Sequence, residues 1–129
     1  MYILDTDVII WILRKDAVII SAVARLTHKG AGALSTISVA EIYKNIFPSE
    51  VGSAEELFDE HEVISVSREI ARDAGYYWQQ FHKRLATLSL ADCIVAATAK
   101  IHRGILLTLN TRHFPMTDIE IKNPRGHIV

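Results

Sequence analysis

Cys93 is the chain's one cysteine, so no intramolecular disulfide can form and nothing calls for an oxidising compartment. Long apolar runs are missing too. The longest near the start, Val8 to Leu13, falls far short of the roughly 20 residues of a membrane span. Asp5 and Asp7 stand in front of it and no cationic stretch does, which excludes a secretory leader. Charge of one sign is equally scarce: 14 Lys and Arg against 15 Asp and Glu leave a formal charge of −1 with neutral His. That balance argues against a strongly basic nucleic-acid glove or a polybasic membrane patch. The six His show neither an HExxH motif nor paired zinc spacing, so no zinc site is assigned. What the chain does have is apolar mass: 50% of its residues are hydrophobic and 22% charged. A core can be buried, and disorder, collagen-like repeats and low complexity are excluded. At 129 residues the expectation is one soluble, cytoplasmic domain spanning 1–129.

Along the chain, short apolar runs alternate with helical spacing. Tyr2-Ile3-Leu4 is continuous rather than alternating, as suits a strand buried on both faces. A helix is expected over Val8–Arg14 with Asp7 as its cap or first-turn acid. A second is expected over Ala17–His28, stopped at Lys29-Gly30 with Gly30 in the C′ position. Leu34–Ile37 reads as the next strand and Ser38 as the opening of a helix reaching Ile46, where Pro48 blocks continuation. Ser53–Asp59 reads as helix and Val63–Val66 as a third strand. Ile70, Ala74, Tyr77, Trp78, Phe81 and Leu85 then fall at helical spacing over roughly five turns. A buried, Ala-rich helix is expected from Ser89 to Arg103, with Gly104 as its stop, followed by strands over Ile105–Thr108 and Ile119–Lys122. This order predicts an α/β fold, a short parallel sheet of four to five strands flanked by helices.

Three acids fall at comparable places in that pattern. Asp5 lies at the carboxyl end of the first strand, Glu41 in the first turn of the helix after the second, and Asp92 in the first turn of the buried helix. Ligands of open parallel sheets bind in the crevice beyond the carboxyl ends of the strands. Each acid also has an ordinary reading. Ser38-Val39-Ala40-Glu41 and Ser89-Leu90-Ala91-Asp92 have capping-box spacing, and Asp5 and Asp7 suit an Asx-turn and an N-cap.

Taken in order, four segments resemble the PIN-domain family. They are Met1-Tyr2-Ile3-Leu4-Asp5-Thr6-Asp7, Ser38-Val39-Ala40-Glu41-Ile42, Leu90-Ala91-Asp92-Cys93-Ile94-Val95-Ala96-Ala97, and Leu107-Thr108-Leu109-Asn110-Thr111-Arg112-His113-Phe114. Ile121-Lys122-Asn123-Pro124 is similar to the family's final strand and turn. Length and wording resemble the VapC-type toxin ribonucleases of prokaryotic toxin–antitoxin pairs. The resemblance implies a three-layer PIN-like fold and a metal-dependent endoribonuclease, the toxin component of a type II pair. It implies catalytic residues Asp5, Glu41, Asp92 and Asn110, with Asp5 and Asp92 as primary metal ligands. Many members carry Asp where this chain has Asn110, and a nearby acid is replaced by His113, so a second ion would be held more weakly. Thr6 and Thr108 match supporting polar positions. A homodimer and a cognate antitoxin covering the crevice are implied as partners, with Ile9, Trp11 and Ile12 supplying contacts.

The chemistry suits those residues. Hard oxygen ligands fit Mg²⁺ (or Mn²⁺), which needs only a few carboxylates and keeps several waters. Such an ion relieves repulsion among clustered carboxylates and activates a water for attack on phosphorus. Cationic groups at Arg14-Lys15, His82-Lys83-Arg84, Lys100 with His102-Arg103, and Arg112-His113 can meet phosphates or simply be solvated helix ends. Arg112, next to the site segment, is the leading RNA-binding candidate. Cys93 reads as a core residue, and Trp11, Tyr76, Tyr77 and Trp78 as core or interface rather than base-stacking residues. Rival readings are a haloacid-dehalogenase-like phosphatase using Asp5-Thr6-Asp7, a phospho-receiver, which lacks an Asp after the third strand, and a non-catalytic PIN-like scaffold.

Overall fold

The computed structural model describes residues 1–28 and 32–127. Its strands are β1 (Tyr2–Leu4), β2 (Ala33–Ser35), β3 (Glu62–Ile64), β4 (Ile105–Leu107) and β5 (Glu120–Lys122). Its helices are α1 (Thr6–Leu13), α2 (Ala17–Leu26), α3 (Thr36–Asn45), α4 (Val51–Glu60), α5 (Arg68–Phe81) and α6 (Leu90–Ile101). The strands form one parallel sheet in the order β3-β2-β1-β4-β5. Chain order runs outward from β1 on one side and from β4 on the other. The seam between β1 and β4, in register Tyr2–Ile105 to Leu4–Leu107, is therefore the topological switch point, where such sheets open a crevice.

Successive strand residues point to opposite faces. Ile3, Ala33 and Leu106 pack with α5 and α6, while Leu4, Leu34 and Leu107 pack with α1, α2, α3 and α4. Burial on both faces explains the continuous apolar runs. Helix α6 is the buried central helix its composition suggests, with Cys93 and Val95 through Ala99 buried. A polar latch ties α5, α6 and the approach to β5. Tyr77 Oη donates to Asp118 Oδ1 at 2.8 Å, and Lys100 Nζ lies 3.7 Å from Asp73 and 3.8 Å from Asp118.

Several boundaries differ from the sequence expectation. Strand β2 ends at Ser35, whose Oγ accepts from Ile37 N as the N-cap of α3. Ser38 and Glu41 are thus not a capping box: Ser38 is a buried helix residue, and Glu41 lies in the second turn, not the first. The cause is that Thr36-Ile37, β-branched and strand-like in propensity, is recruited into the helix by the cap. Helix α1 begins two residues early, capped by Asp5, which leaves Asp7 as the first-turn acid. Leu85 lies past the end of α5 at Phe81. The expected glycine stop at Gly104 also changes. Gly30 lies outside the described residues, and the left-handed residues after α2 and α6 are His28 (φ 55°) and Arg103 (φ 52°). Gly104 is needed for space instead: a Cβ there would stand 3.1 Å from both Ile3 Cγ1 and the Met1 carbonyl.

Candidate active site

Asp5 leaves β1 at the switch point, where its backbone N–H donates to the Leu107 carbonyl at 2.9 Å and locks the two strand ends side by side. Its Oδ1 accepts from Thr6 N at 2.9 Å, and its Oδ2 accepts from Thr108 Oγ1 at 2.9 Å. Thr108, wholly buried at the end of β4, also reaches Asp7 Oδ2 at 3.3 Å. The same Asp7 oxygen accepts from Leu109 N at 3.1 Å. One hydroxyl hydrogen thus faces two carboxylates across the seam.

That crowding shows in their protonation. Burial, followed by the neighbouring Asp7 charge, pushes the Asp5 carboxyl up to about 7; the Thr108 and Thr6 hydrogen bonds oppose the rise. Asp7 is also raised, by burial first, with the Asp92 charge adding to it. Asp92 is therefore close enough to act on both. It sits at the third position of α6 in a capping box with Ser89: Asp92 N donates to Ser89 Oγ at 3.0 Å, and Ser89 N donates to Asp92 Oδ2 at 3.2 Å. The cap and the site are one feature here, because the box fixes a carboxylate at the helix N-terminus.

Glu41 joins from α3. Thr6 Oγ1 donates to Glu41 Oε1 at 2.6 Å and lies 3.0 Å from Ser38 Oγ. The structure therefore brings together Asp5, Thr6, Glu41, Asp92 and Thr108 from four separate segments. Two further members escape the motif reading. Asp7 signals itself only as the second acid of Asp-x-Asp, a spacing that places two carboxylates together because Asp5 stands outside the helix as its cap. Ser38 opens the Ser38–Ile42 segment that resembles the family, but its spacing to Glu41 suggests only a cap. Asn110 contributes its backbone N–H to Thr108 Oγ1 at 3.1 Å, while its side chain is exposed and makes no hydrogen bond among the described residues. Arg112 is exposed on the short turn Thr111–His113 and lines a separate groove.

Among the described residues, one buried atom of these acids lacks a protein partner. Asp7 Oδ1 is buried with no hydrogen bond, and a buried unpaired carboxylate oxygen is costly. Among the described residues, no group of three or more Asp, Glu, His or Cys side chains is arranged to hold a metal ion.

Residues 2–119 match the family described as PIN domain. The chain belongs to the PIN-domain family. Ribonuclease VapC10 of Mycobacterium tuberculosis is 30% identical over 96% of this chain and 92% of its own length. Ribonuclease VapC19 of the same organism is 29% identical over 90% and 94%. Among solved structures, DNA-bound VapBC from Salmonella typhimurium superposes with a TM-score of 0.79 at 22% identity, covering 95% of this chain and 97% of that one. A toxin–antitoxin complex from Klebsiella pneumoniae gives 0.77 at 23%, covering 96% and 98%. At such identities the structural likeness carries the fold.

The PIN-domain membership removes the haloacid-dehalogenase-like reading of Asp5-Thr6-Asp7. The oxygen donors of Asp5 and Asp7 are of the type a hard divalent cation takes. Oxygens are the ligands on offer, Asp7 Oδ1 lacks a partner, and Mg²⁺ binds through one or two carboxylates with retained waters, so no closed cage is required. Cys93 is fully buried, its thiol pushed up to about 11 by burial and by Asp92, which suits a packing residue and not a nucleophile. The expected interface residues need correction. Ile9 is fully buried in the core, so it contacts no partner, and Trp11 and Ile12 are half-buried. Tyr77 is core, whereas Tyr76 and Trp78 are exposed. No described helix is long and apolar enough to cross a membrane.

Proposed function

We propose that this PIN domain is a Mg²⁺- or Mn²⁺-dependent endoribonuclease and the toxin of a toxin–antitoxin pair. The observation that carries the reading is the pairing of Asp5 and Asp7 through Thr108 at the β1–β4 seam, with a buried Asp7 oxygen lacking a partner and the Asp92 charge bearing on both. The names of the VapC relatives and of the solved toxin–antitoxin complexes point the same way. Asp5 and Asp92 would hold the ion, with Asp7 as a further ligand to which the resemblance gives no role. When bound, the ion would draw charge from the scissile phosphate and acidify a water. Glu41, held by the Thr6 hydroxyl, would be the residue to orient an attacking water and take up its proton. Thr108 holds Asp5 and Asp7 in the ligand-ready arrangement, as outer hydrogen bonds do at metal sites. Asn110 adds a neutral carbonyl at the rim and Arg112 a phosphate contact.

The antitoxin is the proposed protein partner, and a homodimer the proposed assembly. A cavity of about 150 Å³ borders Glu41 and is walled by Ile10, Leu13, Ile46 and Phe47, with Phe47 70% exposed. An apolar antitoxin segment seated there would reach the acidic crevice.

Asp5→Asn and Asp92→Asn are each expected to lower RNA cleavage by more than about 100-fold, beyond what losing an outer-shell partner costs, with the protein still folded. EDTA should stop the reaction and added Mg²⁺ or Mn²⁺ should restore it. Attack by water leaves 5′-phosphate and 3′-OH ends, read by mass spectrometry of the fragments. Cyclic-phosphate ends formed in EDTA, or full turnover by either pure variant, would overturn the reading.

A further inference from the structure

Arg84 and Arg112 are 28 residues apart in sequence, yet they line one groove of about 430 Å³, with Gln80 and Thr117 as neutral donors and Leu85 and Pro115 as apolar wall. The groove lies between the end of α5 and the short turn Thr111–His113, which starts at Asn110, just past the Thr108 that bonds Asp5 and Asp7. Arg84 is pre-set. Its guanidinium carbon lies 5.0 Å from the centre of the Phe81 ring, and Phe81 is itself fixed in the core.

The charge in this groove is uncompensated. Among the described residues neither arginine forms an ion pair, and no residue lining the groove is acidic. Two other grooves differ in this respect. The one holding Lys100 and Arg103 also holds Asp118 and Glu120, and the one holding Arg14 also holds Glu41 and Glu50. A crevice of clustered carboxylates repels a polyanion, so a polyanionic substrate needs anchoring beside it rather than in it. Guanidinium forks suit phosphate oxygens, and rigid support lowers the cost of ordering them.

We propose that the Arg84–Arg112 groove is a phosphate-binding subsite that seats the single-stranded RNA flanking the scissile bond. This rests on the ribonuclease reading and adds Arg84 as a specific contact.

The test is binding of a short labelled oligoribonucleotide, by fluorescence anisotropy, over a salt series from about 50 to 200 mM. Wild type is compared with Arg84→Gln, Arg112→Gln, the double variant, and Arg84→Lys. Each Gln change should flatten the plot of log affinity against log salt by about 0.7, and the double by about 1.4. In cleavage assays the loss should fall on KM more than on kcat. Arg84→Lys should keep the salt slope and lose part of the affinity, which a merely structural role would not produce. An unchanged slope and KM in the double variant would overturn the subsite while leaving the ribonuclease reading intact. Flattened slopes without any cleavage by wild type would uphold the subsite and sink the ribonuclease. Binding of a poly-glutamate peptide but not of RNA would overturn the proposal in favour of an acidic protein partner.

Discussion

Asp5 carries opposing demands. Burial and the Asp7 charge disfavour its ionised form, while Thr6 and Thr108 favour it, and the balance leaves its carboxyl at about 7. An aspartate in the unfolded chain titrates near 3.9, roughly. Between those values the folded protein retains a proton that the unfolded chain releases. Stability from this group is therefore full below about pH 4 and is lost as pH rises through about 7. In EDTA, the wild-type protein should melt at lower temperature at about pH 8 than at about pH 5. Asp5→Asn, which removes the buried charge, should flatten that profile and raise Tm at the higher pH while abolishing cleavage. Thermal scans across the range check this, and a wild-type Tm that climbs with pH through the window would contradict it. Gain of stability with loss of activity is the signature of a site strained for function.

Helix starts and strand approaches do the positioning. The Ser89–Asp92 box uses one Asp92 oxygen, Oδ2, to close the cap, and Oδ1 has no hydrogen-bond partner among the described residues. Gly104 lets β4 approach β1, since any side chain there would press on Ile3 and the Met1 carbonyl at 3.1 Å. Backbone on one side and a buried isoleucine on the other leave no cheap relaxation. Gly104→Ala should cost about 1–3 kcal/mol, in the range of overpacked sites, and denaturant unfolding measures it. Because β4 carries Thr108, the same change should also lower cleavage, although it lies at the opposite end of the strand. A variant as stable as wild type would show that the seam has slack.

Over the whole molecule, the sheet order places one crevice between β1 and β4, with α1 to α4 on one face and α5 and α6 on the other. Exposed apolar residues on the α1–α4 side include Val18, Ile20, Tyr43, Phe47 and Val51. Such surface is what partners cover. Sedimentation should give twice the chain mass for the protein alone, and a single chain mass at high concentration would count against the homodimer. In complex with the antitoxin, Phe47→Asp should weaken binding by more than tenfold, since an exposed aromatic beside a cavity is a favoured anchor. Unchanged affinity would place the antitoxin elsewhere.

The amino-acid order alone determined the class of fold, because apolar runs too short and continuous for anything but a doubly covered strand alternate with helical spacing. It also determined Asp5, Glu41 and Asp92 as site candidates through their resemblance to PIN-domain segments. Spacing could not separate a capping acid from a ligand, and the answer differs by position. Asp92 closes the α6 cap while its charge bears on Asp5 and Asp7, Glu41 caps nothing, and Asp5 caps α1 while accepting from Thr108 across 103 residues. Asp7 and Ser38 became site residues only through packing, since a hydroxyl shared between two strand ends has no trace in local sequence. Arg84 likewise looks like a scattered surface charge until the end of α5 and the turn after β4 bring it into one groove with Arg112, which its place beside the site segment had already singled out. Local order sets propensities and caps within a few residues. Which charges meet depends on the sheet order, and that is decided by burying both faces of the sheet at once.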